Sequence, residues 1–324
     1  MSQLGQTQPE ARLVRVRSIQ DVAIDTRLYE LVSADGRPLA PYEAGAHIDV
    51  QVPNGMMRQY SLCGSPGGSA YRMAVKREAG GRGGSMSLHD HGEVGTALGI
   101  FGPRNHFPLD LSAQRHLFIA GGIGITPIHS MVHTLVALGR PWTLHYCARS
   151  AAHAAFHEEL VALAPPNVFC HFSEQPVLDV QGLLHTVEEG THVVCCGPQG
   201  LMQAVQAATA HWPPEQVHFE WFSAPQLEGK DDAALDAPFE VHLARTGRTF
   251  VVPAHASILD VLRDEGIRVN CACESGVCGT CETTVLEGRP QHRDALLSDE
   301  ERSAGRTMMI CVSRAESPRL VLDL

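Results

Sequence analysis

The chain has 324 residues, 44% of them hydrophobic and 19% charged, and carries a formal net charge of -11 at pH 7, a globular composition with room for more than one domain. The acidic balance argues against a nucleic-acid partner, because phosphate binding needs a concentrated basic surface. No run reaches the roughly 18 apolar residues of a membrane span, and the opening "MSQLGQTQPEARL" has neither the basic stretch nor the apolar core of an export signal, so a cytoplasmic protein without membrane contact is expected.

Residues 1–11 read as a flexible tail, and 12–107 as short strands separated by Gly and Pro turns, the pattern of an antiparallel barrel. Within it, "MRQYSLCGSP" alternates so that Arg58 and Tyr60 share one face of a strand, with Ser61 next. An arginine can pair with a phosphate, a tyrosine ring can lie against a flat heterocycle, and a serine hydroxyl can bond a ring nitrogen. Downstream, "YRMAVKREAGGRGGSMSLHDH" carries Lys76 and Arg77 on a strand and then Gly83, Gly84 and Ser85 at a predicted helix start. That is a phosphate-binding geometry; the plain alternative is a basic hairpin with a loose tip. His89 and His91 read as a polar face of the helix that follows.

Residues 108–226 carry a second nucleotide pattern. "RHLFIAGGIGITPIHSMVHTLVALG" predicts an apolar strand, a glycine turn and an apolar-periodic helix. Gly121, Gly122 and Gly124 would let the backbone approach a pyrophosphate, Thr126 would donate its hydroxyl, and Pro127 suits a first helical turn. "WTLHYCARS" predicts another strand ending in Arg149 and Ser150, where a ribose would lie. "THVVCCGPQGLMQAV" predicts a third, with Cys196, Gly197 and Pro198 at its C-terminal end. Ligands of open parallel sheets bind at those ends, so the motifs converge on one crevice. His129 and His133 stand at i and i+4 on the first helix, but with no third ligand in view they read as packing or solvent contacts.

The acidic, small-residue stretch 227–238 reads as a linker, and 239–324 as a small mixed α/β domain. "FEVHLARTGRTFVV" predicts two strands around Thr246 and Gly247. Ser257 opens a helix with Asp260 at capping-box spacing and Gly266 as its stop, and "ETTVLEG" and "RLVLDL" predict later strands. Between them, Cys273, Cys278 and Cys281 have the spacing C-x4-C-x2-C, and Cys311 follows alone. This is the plant-type [2Fe-2S] pattern, with Gly276 and Gly279 placed to turn backbone amides toward the sulfurs. Zinc is the rival metal, but its sites pair C-x2-C units or add histidines. Cys271 reads as a non-ligand, and Cys63, Cys147, Cys170, Cys195 and Cys196 as small buried side chains.

In this order, "RQYSLC", "GGIGITP", "CGP" and "CESGVCGTC" resemble the phthalate dioxygenase reductase family, which includes the vanillate O-demethylase reductases. The likeness covers the chain from about residue 12. It implies a multidomain protein: a six-stranded antiparallel β-barrel binding FMN by its phosphate, an α/β parallel-sheet NAD domain of ferredoxin-reductase type, and a C-terminal α+β β-grasp ferredoxin. Carried over by position, it implies that Arg58, Gln59, Tyr60, Ser61, Val75, Lys76, Gly84 and Ser85 hold FMN, with Ser61 near flavin N5. It assigns Gly122, Gly124, Thr126, Pro127, Arg149, Ser150, Gly197 and Pro198 to the nicotinamide nucleotide. Cys196 would stand beside the nicotinamide, and Glu220 and Phe222 would close the flavin site. Gln59 replaces a frequent threonine, and no acidic residue accompanies Arg149 and Ser150, so NADPH stays open as an alternative to NADH.

The activity implied is transfer of electrons from NADH through FMN and the [2Fe-2S] cluster to the terminal component of a Rieske oxygenase acting on an aromatic acid such as phthalate or vanillate. A cytochrome P450 or diiron monooxygenase is the alternative acceptor, and a non-enzymatic iron-sulfur sensor a third reading. A monomer is expected, since no heptad pattern appears.

Overall fold

The computed structural model describes residues 11–174, 177–222, 237–271 and 273–324. The expected tail through residue 10 and most of the expected linker lie outside the described residues. The chain divides after Glu220 into two compact units, each with its own sheets.

The first unit begins with β1 (Arg12–Ala23), β2 (Thr26–Ser33), β3 (His47–Gln51), β4 (Met57–Ser61), β5 (Tyr71–Lys76), helix α1 (Gly84–His91) and β6 (Ala97–Arg104). The strands form an antiparallel sheet in the order β4-β3-β6-β1-β2-β5, and a bridge between Leu62 and Met73 joins its two edge strands. The Cys63 N–H donates to the Arg72 carbonyl at 2.8 Å beside that bridge, so the sheet closes as a barrel and has no free edge there. Alternation fills the barrel. Val14 and Val16 of β1 point inward with Tyr29, Leu31, Ile48, Val50, Met73 and Ile100, while the arginines between them stay outside. Leu88 of α1 joins that core fully buried, worth about 1.5–3 kcal/mol, and Tyr29 donates its hydroxyl to the Leu88 carbonyl at 3.1 Å.

The same unit continues with β7 (Arg115–Gly121), α2 (Ile125–Ala137), β8 (Trp142–Ala148), α3 (His157–Leu163), β9 (Val168–Phe172), α4 (Val180–Leu184), β10 (Thr191–Cys196), α5 (Gln199–Ala208) and β11 (Val217–Glu220). These strands are all parallel, in the order β11-β10-β7-β8-β9. The chain leaves β7 toward β8 and β9 and returns on the other side through β10, so the C-terminal ends of β7 and β10 flank a topological switch point. Leu28, Cys63 and Ala74 of the barrel region share one apolar cluster with Ile125, Ile128 and Met131 of α2, which makes barrel and parallel sheet one unit.

The second unit contains β12 (Phe239–Leu243), β13 (Thr249–Val252), α6 (Ile258–Asp264), β14 (Glu282–Glu287), β15 (Pro290–Gln291), α7 (Asp299–Ala304), β16 (Thr307–Met309), β17 (Arg314–Ala315) and β18 (Arg319–Leu322). The main sheet runs β13-β12-β18-β14-β16, with β12 and β18 parallel and the other pairs antiparallel, and β15 pairs with β17. Ile258, Leu259 and Leu262 of α6 join a core with Val241, Leu320 and Leu322 of that sheet, a β-grasp. The capping box at Ser257 and Asp260 is present, and Gly266 ends the helix region at φ 72°. A second box, Ser298 with Glu301, starts α7, an element the sequence reading passed over. No helix among the described residues is long and apolar enough to cross a membrane.

Candidate functional site

Strand β4 and helix α1 build the first part of the site. Gly83 precedes α1 in the left-handed region and brings no side chain to cap it, leaving the first-turn N–H groups to an outside acceptor. The Arg58 side chain lies over this end: its Nη2 donates to the Arg82 carbonyl at 3.3 Å. A Cβ on Gly84 would fall 2.6 Å from both Cγ and Nε of Arg58, so Gly84 is what lets the guanidinium cross the helix start. A cation and free helical amides side by side form an anion cradle, which fits a flavin phosphate. Ser85 turns its hydroxyl away to accept from the Glu78 N–H at 3.1 Å.

Tyr60 and Ser61 follow on β4, Ser61 buried and Tyr60 packed at the edge of the barrel core. Gln59 Nε2 is buried without a partner, an orphaned donor that suits a ligand acceptor. Val75 contributes less than expected: its side chain is in the barrel core and its carbonyl faces His89 Nε2 at 2.8 Å. His89 thus ties α1 to β5, which corrects its reading as part of a polar face; His91 is exposed as expected.

The nucleotide motifs meet at the switch point. A cavity of about 350 Å³ is lined by Gly121, Gly122, Arg149, Ser173, Pro198 and Leu201, contributions from the ends of β7, β8, β9 and β10. Lys76 reaches the same cavity and pairs with Glu78. The glycines divide their labour differently from expectation. A Cβ on Gly124 would lie 2.3 Å from the Cys196 carbonyl oxygen, and one on Gly121 would lie 2.5 Å from Pro198 Cδ, so these two let the turns after β7 and β10 pack back to back. Gly122, at φ 51°, faces open space and is the one free to meet a ligand. The buried Thr126 hydroxyl donates to the Ile123 carbonyl at 2.9 Å and fastens the turn. Pro127 is in the first turn of α2, as expected. Ser150 Oγ faces His153 Nδ1 at 2.9 Å. Phe172 and Ser173, which line the cavity from β9, escaped the sequence reading because "NVFCHFSEQ" has no glycine turn to mark it.

Cys196 and Glu220 are register partners across β10 and β11. Burial pushes the Cys196 thiol well up, with the Glu220 carboxylate adding to it, and burial alone pushes Glu220 up to about 8. Glu220 Oε2 is buried without a partner. Both groups are therefore neutral near neutral pH, at the C-terminal end of the sheet where chemistry is expected. Phe222 is the second residue of the second unit and is exposed.

In the second unit Cys273, Cys278, Cys281 and Cys311 are all buried, and Cys271 is less so. The Ser275 N–H donates to Cys273 Sγ at 3.3 Å, the Val277 amide also favours the Cys273 thiolate, and the Gly276 amide favours that of Cys311. Gly276 sits at φ 68°, and a Cβ there would meet Val312 Cγ2 at 2.6 Å, so the inward turn of the loop needs glycine. Cys311 interacts with Cys273 and Cys281, and Cys273 with Cys278. Among the described residues no three cysteine sulfurs lie within 4.8 Å of one another, as a single tetrahedral zinc would require. A buried sulfur set with amides turned onto it fits an iron-sulfur cluster. Cys271 is in reach of Cys281, a neighbour of the ligand set.

The sequence brings no third ligand into view for the histidine pair on α2. His129 and His133 do have a third partner, because α3 places Glu159 Oε1 at 3.2 and 3.0 Å from their Nε2 atoms.

Comparison with known proteins supports this assembly. Residues 241–316 match the 2Fe-2S iron-sulfur cluster binding domain family, and residues 103–215 match the N-terminal domain of dimethylamine monooxygenase subunit DmmA-like proteins. The chain is 46% identical over 314 residues to phenoxybenzoate dioxygenase subunit beta of Ectopseudomonas oleovorans, covering 96% of this chain and 97% of that one. A solved phthalate dioxygenase reductase, described as a modular structure for electron transfer from pyridine nucleotides to [2Fe-2S], is 42% identical with a TM-score of 0.75, covering 97% of this chain and 98% of its own. An intact type IV self-sufficient cytochrome P450 monooxygenase is 41% identical with a TM-score of 0.85, covering 97% of this chain and 41% of that larger one.

Proposed function

The chain belongs to the phthalate dioxygenase reductase family, and we propose on that premise that its site residues carry electrons from NADH to the terminal component of a Rieske-type aromatic-acid oxygenase. It is an NADH-dependent oxidoreductase with a flavin and a [2Fe-2S] centre. The observation that carries the site assignment is the pairing, in one chain, of an anion cradle beside a switch-point crevice with a buried sulfur set. FMN held at the cradle would supply hydride acceptance and one-electron release, and a cluster held by the cysteines would supply single-electron transfer.

The protein's own groups position and insulate. Arg58 and the amides at the start of α1 hold the flavin phosphate, Gln59 and Ser61 offer polar contacts to the ring system, and Tyr60 lies against it. Gly122, Arg149, Ser150, Gly197 and Pro198 frame the nicotinamide nucleotide, and Gly124 and Thr126 hold that frame rigid. Glu220, pushed by burial up to about 8, presents a neutral carboxyl near neutral pH, with the protonated Cys196 thiol as its register partner. Cys273, Cys278, Cys281 and Cys311 bind the cluster. Residues 12–107, 108–226 and 239–324 serve as flavin, NAD and ferredoxin domains, joined by a linker at 227–238, in a cytoplasmic monomer. A haem monooxygenase is the second acceptor reading, favoured by the likeness to the self-sufficient P450.

Anaerobic titration with NADH and then NADPH, followed in the visible spectrum, tests this. NADH should bleach flavin and iron-sulfur bands together. Bleaching by NADPH alone would reassign the donor, and bleaching by neither would remove the reductase role.

A further inference from the structure

Helix α2 sets His129 and His133 one turn apart on one face, and the first turn of α3 brings Glu159 against both. The two Nε2 atoms are 3.3 Å apart, and they lie 3.2 and 3.0 Å from Glu159 Oε1. Three donors bound to one zinc at the usual bond lengths of about 2.0–2.1 Å would stand about 3.3 Å apart at the corners of a tetrahedron face. The observed triangle is that face within a few tenths of an ångström. His129 is fully buried and its ring centroid is 4.2 Å from that of Phe156, so the deepest donor is held in place. The Glu159 side chain is 41% exposed, which leaves a fourth position open to water.

In the metal-free state the same three groups are joined by hydrogen bonds. The Gly64 N–H donates to His129 Nδ1 at 2.9 Å, which puts the proton of a neutral His129 on Nε2. His133 shares the same carboxylate oxygen, which in the metal-free state accepts from both rings. We propose that His129, His133 and Glu159 bind one divalent transition-metal ion of zinc type, at a site separate from the cysteines and from the nucleotide crevice. Two neutral imidazoles and one carboxylate suit such an ion. Its occupation has a structural cost, because metal on Nε2 moves the ring proton to Nδ1 and opens the Gly64 contact. The Arg72 guanidinium, packed against Gly64, adds a repelling charge, so binding is weaker than in a closed structural site.

The test is calorimetric titration of Zn²⁺ into full-length protein loaded with flavin and cluster, so that the cluster thiols are occupied. Wild type should bind one equivalent at this site, and His133→Ala and Glu159→Gln should each weaken that step by at least about 100-fold, the upper end of what losing even a supporting contact costs. Amide exchange at Gly64 should accelerate when zinc is added to wild type. If His133→Ala fails to load its cofactors, Glu159→Gln, which keeps the side chain's size, decides. An isotherm shared by wild type and Glu159→Gln, or no zinc step in wild type, overturns the proposal.

Discussion

At the scale of single residues, Glu220 couples the site to pH. Its carboxyl has an ordinary value of 4.5 and is pushed by burial up to about 8. A raised acid favours the fold while it is protonated in both states, below the unfolded value, and that contribution is lost as pH rises toward the folded value. The window is therefore between about pH 4.5 and 8. Glu220→Gln, which cannot ionise, should flatten the decline: between pH 6 and 8 wild type should lose about 2 kcal/mol more than the variant, roughly 4–8 °C in Tm for a unit of this size. Equal slopes in thermal melts would show that Glu220 is not desolvated. None of this was legible from "HFEWF", because burial is a tertiary property. The glycine turn shows the same limit: the motif was recognisable, but the use of Gly121 and Gly124 to admit Pro198 and Cys196 depends on a strand more than sixty residues away.

At the scale of elements, legibility follows locality. The capping box of α6 and the hairpin of β12 and β13 are encoded by neighbours in sequence and came out as read. Helix α1 was anticipated to within a residue, since its glycine entry is local too. What sequence could not give is that Arg58 crosses that entry from β4, and this leads to a prediction. Gly84→Ala would place a methyl 2.6 Å from Arg58 Cγ and Nε, displacing the guanidinium while leaving the barrel core intact. Arg58→Ala removes the same charge directly. A charge-assisted contact is worth about 1.5–3 kcal/mol, so each variant should release FMN about 10- to 100-fold more readily in ultrafiltration, with little further loss in the double variant. Additive losses would mean that Gly84 and Arg58 serve the phosphate independently.

At the scale of the whole molecule, the order of motifs was more informative than any one of them, because the barrel, the parallel sheet with its two glycine turns, and the β-grasp sheet follow one another in chain order. Barrel and parallel sheet share one apolar cluster, and the chain divides into two compact units after Glu220, so the expected flavin and NAD domains fall within the first unit. That shared packing arises from side chains such as Leu28 and Ile128, which look like ordinary core residues in sequence. The division has a functional consequence. Every residue of the anion cradle on β4 and α1, and every one lining the switch-point crevice, belongs to the first unit, while the four cysteines proposed to hold the cluster belong to the second. Cys278→Ser removes a buried thiol proposed as a cluster ligand and should abolish the iron-sulfur absorption and the reduction of one-electron protein acceptors. NADH-dependent reduction of a two-electron quinone dye draws on the first unit alone and should stay within about twofold of wild type, the tolerance for independent sites. The second unit should also melt at a lower temperature, since metal binding free energy contributes to its folding. If dye reduction fell together with the cluster, the cysteine loop would be supporting the flavin side as well, and the separation of hydride chemistry from single-electron delivery would not follow the division of the chain.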